Sequence, residues 1–236
     1  AEPAPKVAVA LGGDVLIHNT VAAAARRGGS YDFRPLLAGV RRTVSEADIA
    51  ICHLETPIAP DGGPYESYPL FSVPPHIAPA LKWAGYDACT TASNHSVDQG
   101  YDGLTRTLAA LDRADLKHAG TARSLKESRH IVRFESHGKS IALLSYTFST
   151  NGMPVVNPWS VNLIRAARIK ADAARARAEG ADAVMVAMHW GTEYQHEPSS
   201  YQMRLARLLT KSPDITFIYG HHAHVVQPIR RINGKV

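Results

Sequence analysis

Apolar and polar positions along this chain follow two periods. Short apolar runs, rich in Val, Ile, Ala and Thr and bounded by Gly, Asp or Ser, fall at 7–11, 49–52, 88–91, 141–146, 183–187 and 215–219. Runs of that length and composition read as strands. Between most of them apolar residues recur at three- and four-residue spacing, over 34–47, 75–84, 101–113, 160–179 and 199–211. These read as helices, with Gly85, Gly180 and the region of Pro213 as stops. Strands alternating with helices predict an α/β protein with a largely parallel or mixed sheet. No repeat, low-complexity tract or domain boundary interrupts the pattern, so one domain over 1–236 is expected.

Two stretches need separate treatment. Residues 58–75, IAPDGGPYESYPLFSVPP, break both periods and read as a long loop. A loop of that length invites a functional reading, with Tyr65, Tyr68 and Phe71 as a rim that selects substrate; plain packing onto the body of the protein is the alternative. In the basic helix at 165–180, Ile164, Ala167, Ala171, Ala174 and Ala178 make an apolar stripe. Arg165, Arg168, Asp172 and Arg175 make a second stripe, expected to be solvated, in which Arg168 and Asp172 pair at i, i+4.

Polar residues collect where strands end. The first run leads to Asp14, the second to His53 and Glu55, the third to Asn94 and His95, the fifth to His189, and the last to His221, His222 and His224. Ligands of α/β proteins gather beyond the carboxyl ends of strands, and all of these side chains are of metal-ligating type. Singly, each has a plain reading as a cap, a loop acid or a core histidine. Their shared position in chain order points to a metal site. Other chemistries lack their signatures: there is no P-loop, no G-x-G-x-x-G, no nucleophile elbow, no H-E-x-x-H and no C-x-x-C.

Composition narrows the partners. The 236 residues are 45% hydrophobic and 20% charged, ordinary for a globular protein, and no apolar run is long enough to span a bilayer. A formal charge of +5 and a pI near 9.3 favour anionic partners. Aromatic residues do not interleave the basic stretch, so nucleic acid is not expected. Cys52 and Cys89 are too few for a disulfide framework; buried thiols are expected, with a single bridge open if their strands are neighbours. The start, AEPAPKVAVALGGD, reads as what remains after removal of a signal peptide, which implies an extracytoplasmic chain.

The order GD (13–14), HLETP (53–57), SNHSVDQG (93–100), HWGTEY (189–194) and GHHAHVVQP (220–228) resembles the CapA family, proteins associated with poly-γ-glutamate capsule synthesis. The resemblance runs from Val7 to the end. It implies the four-layer α/β/β/α sandwich of calcineurin-like metallophosphoesterases, with one or two divalent transition metals (Mn, Fe or Zn) at the strand ends. By that resemblance Asp14 binds the first metal, Glu55 bridges, and Asn94 and His189 bind the second. His222 and His224 complete the set as an H-x-H pair, with His221 expected to face elsewhere. His95 is the implied general acid. His53, Glu193 and Tyr194 are candidates for substrate contact. The chain departs from the pattern at Leu16, where phosphoesterases carry the histidine of D-x-H, unless His18 reaches in; His53 also stands where CapA sequences commonly show Asn. It ends at RRINGKV, within a hairpin-like sequence, and a C-terminal segment is expected to be missing.

The function so implied is a metal-dependent hydrolase acting on a phosphoester or amide bond of an anionic cell-envelope polymer or its precursor. The alternative is a non-catalytic component that binds such a polymer. A ligase or transferase role is disfavoured because no nucleotide-binding loop is present. Membrane-associated capsule synthesis proteins are possible partners by the same resemblance, and the oligomeric state is left open.

Overall fold

The structure is a computed structural model and describes residues 6–236; residues 1–5 of the Pro-rich start lie outside it. In chain order the elements are β1 (Val9–Val15), α1 (Asn19–Ala25), a small hairpin of β2 (Arg26–Arg27) and β3 (Ser30–Tyr31), α2 (Arg34–Ser45), β4 (Ile49–Leu54), α3 (Ile77–Ala84), β5 (Ala88–Thr90), α4 (Gly100–Arg113) and β6 (Lys117–Ala119). They continue with β7 (Val132–Ser136), β8 (Lys139–Thr147), α5 (Ala166–Ala178), β9 (Ala183–His189), α6 (Ser200–Leu209) and β10 (Phe217–His221).

Two four-stranded sheets form, ordered β1-β4-β5-β6 and β10-β9-β8-β7. All neighbours are parallel except β7 and β8. Because strand side chains alternate between faces, each central strand feeds two cores. In β4, Ala50, Cys52 and Leu54 face helices α2–α4 in one apolar cluster, while Ile49 and Ile51 face the other sheet. In β9, Val184, Val186 and Met188 face α5 and α6, while Met185 meets Ile49, Ile51 and Phe134 between the sheets. Helix, sheet, sheet, helix is the α/β/β/α sandwich. Gly85 shows how tightly the layers close. It ends α3 at φ 105°, and a Cβ there would sit 2.8 Å from Ser45 Cα.

The structure corrects two expectations. Cys52 and Cys89 are paired residues of the neighbouring parallel strands β4 and β5 and form a buried disulfide, not two thiols. In α5 the buried face is Ile169, Ala173 and Ala176, whereas Ala167, Ala171, Ala174 and Ala178 are exposed. Alanine buries little area, so the one large apolar side chain, Ile169, decides which face turns inward. Arg168, Asp172 and Arg175 are consequently half-buried, while Arg165 stays exposed. Asp172 accepts from the hydroxyl of buried Tyr146 at 2.8 Å and pairs with Arg168 at 3.4 Å.

Candidate metal centre

Strand parity places the polar cluster. Residues 49, 51, 53 and 55 share one face of β4 and its extension, so His53 and Glu55 follow Ile49 and Ile51 into the space between the sheets. Met185 sets the same face for His189, and Phe217 and Tyr219 set it for His221. Register then brings the positions level. Asp14 is the partner of His53 in β1/β4, His53 of Thr90 in β4/β5, and His189 of His221 in β9/β10. A register irregularity between Leu11 and Asp14, at Gly12-Gly13, precedes Asp14 on β1.

Asp14 is a hub. His224 Nδ1 lies 2.9 Å from its Oδ2, His221 Nδ1 is 3.4 Å from its Oδ1, and His53 Nε2 is 4.0 Å from the same oxygen. Glu55 is a second centre, with His189 Nε2 at 3.8 Å and His224 Nε2 at 3.9 Å from Oε1. His189 Nε2 also meets Asn94 Oδ1 at 2.8 Å. The rings of His53 and His221 stack at 4.1 Å, and those of His189 and His222 approach to 4.8 Å. Two groups have ligand atoms within 4.8 Å of one another: Asp14, His53, Glu55 and His189; and Glu55, His222 and His224.

His221 therefore joins the cluster, contrary to the expectation that it faces elsewhere. Alternation holds to the end of β10, and His221 has the inward parity. His222 and His224 lie beyond the strand and adopt left-handed backbone, with φ 86° and 54°. They reach the centre through that turn rather than through strand alternation. His18 does not fill the place left by Leu16; it is exposed, against Phe71 at 5.1 Å and Ser67 Oγ at 3.5 Å. Of the three expected substrate contacts, His53 is instead fully buried within the cluster beside Asp14, Glu193 lies 4.0 Å from His222 Nδ1, and Tyr194 is exposed, 6.0 Å from the ring of His224.

His95 stands beside the cluster. Its Nδ1–H donates to Asp98 Oδ2 at 2.7 Å, which leaves Nε2 outside that pairing. The same Asp98 oxygen accepts the Phe71 backbone N–H at 2.8 Å, and the Phe71 ring packs edge-on against His95 at 4.8 Å. The loop 58–75 is thus tied to His95 through a buried Phe71, while Tyr68 is exposed and Tyr65 half-buried.

Electrostatics follow from burial. Burial would raise the Asp14 carboxyl, but hydrogen bonds from His221 and His224 outweigh it and hold the group well below the ordinary carboxylate range. Glu55 has no such partner. Burial, then the charge of Asp14, push its carboxyl up to about 8. Burial, aided by neighbouring imidazoles, holds His53 and His189 well below the usual histidine range. His222 is lowered by burial, and His224 is raised by its hydrogen bond to Asp14.

Buried polar atoms without partners test whether this donor set fits a cation. Among the described residues ten buried side-chain N or O atoms lack a hydrogen-bond partner, and six belong to this cluster: both oxygens of Glu55, His53 Nε2, His189 Nδ1, His221 Nε2 and His222 Nδ1. Each such atom costs about 1–3 kcal/mol. Six together need a ligand or a strong reason. The neighbours of His53 favour one tautomer. Thr90 Oγ1 lies 3.3 Å from the Cys52 carbonyl and 2.8 Å from His53 Nδ1; with its hydroxyl donated to the carbonyl it accepts from His53 Nδ1–H, the tautomer that leaves a lone pair on Nε2 toward Asp14. A ring nitrogen anchored by the opposite N–H is the arrangement found at metal-ligating histidines.

The family model for the bacterial capsule synthesis protein PGA_cap matches residues 8–236. The chain belongs to this family. The capsule biosynthesis protein CapA of Bacillus anthracis is 31% identical over 153 residues, which is 63% of this chain and 37% of that protein. The PGA biosynthesis protein CapA of Bacillus subtilis is 30% identical over 158 residues, 66% of this chain and 41% of that one. The chain thus spans less than half the length of these two relatives. Among solved structures, the calcineurin-like phosphoesterase YfkN of Bacillus subtilis matches 96% of this chain and 75% of its own, with TM-score 0.58 and 17% identity. That likeness establishes the fold this family member shares with calcineurin-like phosphoesterases.

Sequence reasoning passed over Phe148 and Asn151. Phe148 covers His222 at 4.7 Å, and Asn151 accepts from Asn94 Nδ2 at 3.3 Å. Both follow β8, and only the rule that sites gather at strand ends could have drawn attention to them.

Proposed function

We propose that this protein is a metal-dependent hydrolase acting on an anionic polymer of the cell envelope. The observation that carries the reading is the convergence of Asp14, His53, Glu55, His189, His222 and His224 from four strand ends, with six buried N and O atoms of this cluster left without partners, within a phosphoesterase-type sandwich. Asp14, His53, His221 and His224 would hold one ion, Asn94, His189 and His222 a second, with Glu55 between them. Mn, Fe and Zn all suit this set of carboxylate, amide and imidazole donors. The extra imidazoles of His53 and His221 take the place of the histidine that Leu16 lacks.

A pair of divalent ions supplies Lewis acidity and a hydroxide nucleophile near neutral pH. The protein's own groups do the rest. Asp14 and Glu55 offset the positive charge, Thr90 fixes the ring of His53, and Asp98 fixes His95 at Nδ1. His95 would deliver a proton from Nε2 to the leaving group, a contribution of about 10²–10⁴ in rate. Glu193 and Tyr194 would meet substrate at the mouth. The family supports a capsule-type polyglutamate as the polymer, with partners in its synthesis. The Cys52–Cys89 bridge supports an oxidising, extracytoplasmic setting.

The experiment is hydrolysis of a synthetic phosphodiester and of a γ-linked glutamate oligomer by chelated protein, before and after addition of Mn or Zn. Metal-restored turnover of either supports the reading. Its absence with both, in protein that binds metal, rejects it.

A further inference from the structure

β8 delivers no metal ligand of its own, yet the turn that follows it touches two of the residues assigned to the second ion. The Phe148 ring lies 4.7 Å from that of His222, and Asn151 Oδ1 accepts from Asn94 Nδ2 at 3.3 Å. The turn is held at several points. The Phe148 N–H donates to the His189 carbonyl at 3.0 Å, the Thr147 hydroxyl to the Ser149 carbonyl at 3.0 Å, and the Thr150 hydroxyl to the Met153 carbonyl at 2.8 Å. The N–H of Asn151 itself donates to Ser149 Oγ at 3.0 Å.

Asn94 needs such a neighbour. A carboxamide has two ends of nearly equal shape, but only its oxygen can meet a cation, because the NH2 end carries two donors and no lone pair for the purpose. Asn94 is 3% exposed, so solvent does little to choose which end turns inward. Its Oδ1 lies 2.8 Å from His189 Nε2, which in turn lies 3.8 Å from Glu55 Oε1. Its Nδ2 makes one hydrogen bond among the described residues, to Asn151 Oδ1. With the amide turned over, N–H groups rather than an oxygen would face His189 and Glu55.

Asn at 151 has a plain explanation as well. Asn151 and Gly152 both have left-handed backbone, with φ 53° and 77°, and Asn-Gly is a common pair in such turns. Backbone conformation does not account for where the side chain goes. Asn151 is exposed and has water for its amide, but its oxygen is given to the buried NH2 of a residue 57 positions away. We propose that Asn151 is a positioning residue, which holds the Asn94 amide with Oδ1 toward His189 and Glu55 and Nδ2 away from them. The proposal rests on the reading of Asn94 as a ligand of the second ion. Groups that orient a metal ligand through its far side are worth about tenfold to a hundredfold in metal affinity. A bond of 3.3 Å from an exposed partner belongs at the lower end of that range.

The test titrates Mn into metal-stripped protein in competition with a fluorescent chelator, reads the dissociation constant of each ion, and follows melting temperature in parallel. Asn151→Gly removes the side chain and suits left-handed backbone, so it separates the amide from the turn. It should weaken the second ion about tenfold, leave the first within about twofold, and melt with the unmodified protein when metal is absent. Asn151→Asp keeps an acceptor and loses the NH2, so it should hold the second ion at least as tightly as the unmodified protein. In an Asn94→Asp background the pattern should change, because a carboxylate has two like oxygens and no wrong end. There Asn151→Gly should cost less than about twofold, and Asn151→Asp should weaken the second ion, since two carboxylates then face each other. Val156→Ser, at a position 73% exposed in the same connection, should change nothing. Asn151→Gly with both constants unchanged overturns the proposal and leaves the metal centre standing. Equal weakening of both ions with a lower melting temperature overturns it as well, since the turn would then act through the fold. So does Asn151→Asp tightening the second ion in both backgrounds, because charge and not orientation would be the cause. If no form binds a second ion, the ligand reading of Asn94 fails and the proposal falls with it.

Discussion

Replacing Glu55 by Gln should have opposite effects on stability with and without metal. The side chain is 1% exposed, and neither oxygen has a hydrogen-bond partner. Burial and Asp14 raise its carboxyl from 4.5 to about 8. A raised carboxyl means that the folded state holds a proton which the unfolded state releases. The associated stability is present below pH 4.5 and is lost as pH rises toward 8. From that shift the loss is under about 1 kcal/mol at pH 5 and about 4 kcal/mol at pH 8. Glutamine removes the ionisation and keeps the shape. In the presence of chelator, Glu55→Gln should therefore melt close to the unmodified protein at pH 5 and roughly 10 °C above it at pH 8. With saturating Mn or Zn the order should invert, because a carboxylate between the ions is gone and ligand binding no longer stabilises the fold as strongly. Calorimetry at the two pH values, with and without metal, reads all four states. A chelated Glu55→Gln protein that is equally destabilised at both pH values would refute the reasoning, since it would mean that the carboxylate has stabilising partners in the folded protein.

Four further outcomes follow from the same geometry. His221→Ala and His53→Ala should each reduce metal content by up to one equivalent per chain in elemental analysis, whereas His18→Ala should not. Leu16→His in the His53→Ala background should recover part of that loss, because Leu16 and Asp14 line one cleft. His95→Ala should keep its metal and lose about 10²–10⁴-fold in turnover, measured on the synthetic phosphodiester. Opening the Cys52–Cys89 bridge by the double change to Ala, across a separation of 37 residues, should cost about 4 kcal/mol in denaturant unfolding.

Much of the fold was legible because the apolar runs have the right length and period. All six expected strands and five expected helices form, with shifts of a few residues at their ends, most at the start of α5 (Ala166–Ala178). The elements missed lie outside the apolar runs: β6 has three residues, and β7, VRFES, alternates polar with apolar, a half-buried strand pattern that a search for continuous apolar runs passes over. The site was legible through position, since ligand-type side chains recur at strand ends. What failed was side-chain direction. His221 was assigned from the spacing of an H-x-H pair, but direction depends on where the strand stops and the left-handed backbone of His222 begins. Phe217 and Tyr219 already set the parity that turns His221 inward. In α5 four alanines outnumber Ile169, yet buried area rather than count decides the face.

The central claim is tested most directly by titrating chelated protein with Mn or Zn while following bound metal and hydrolysis together. The account predicts that up to two ions bind per chain, and that cleavage of the phosphodiester or of the γ-linked glutamate oligomer appears as the second site fills. Protein that fills with metal and cleaves neither, or that binds no metal at all, would contradict it.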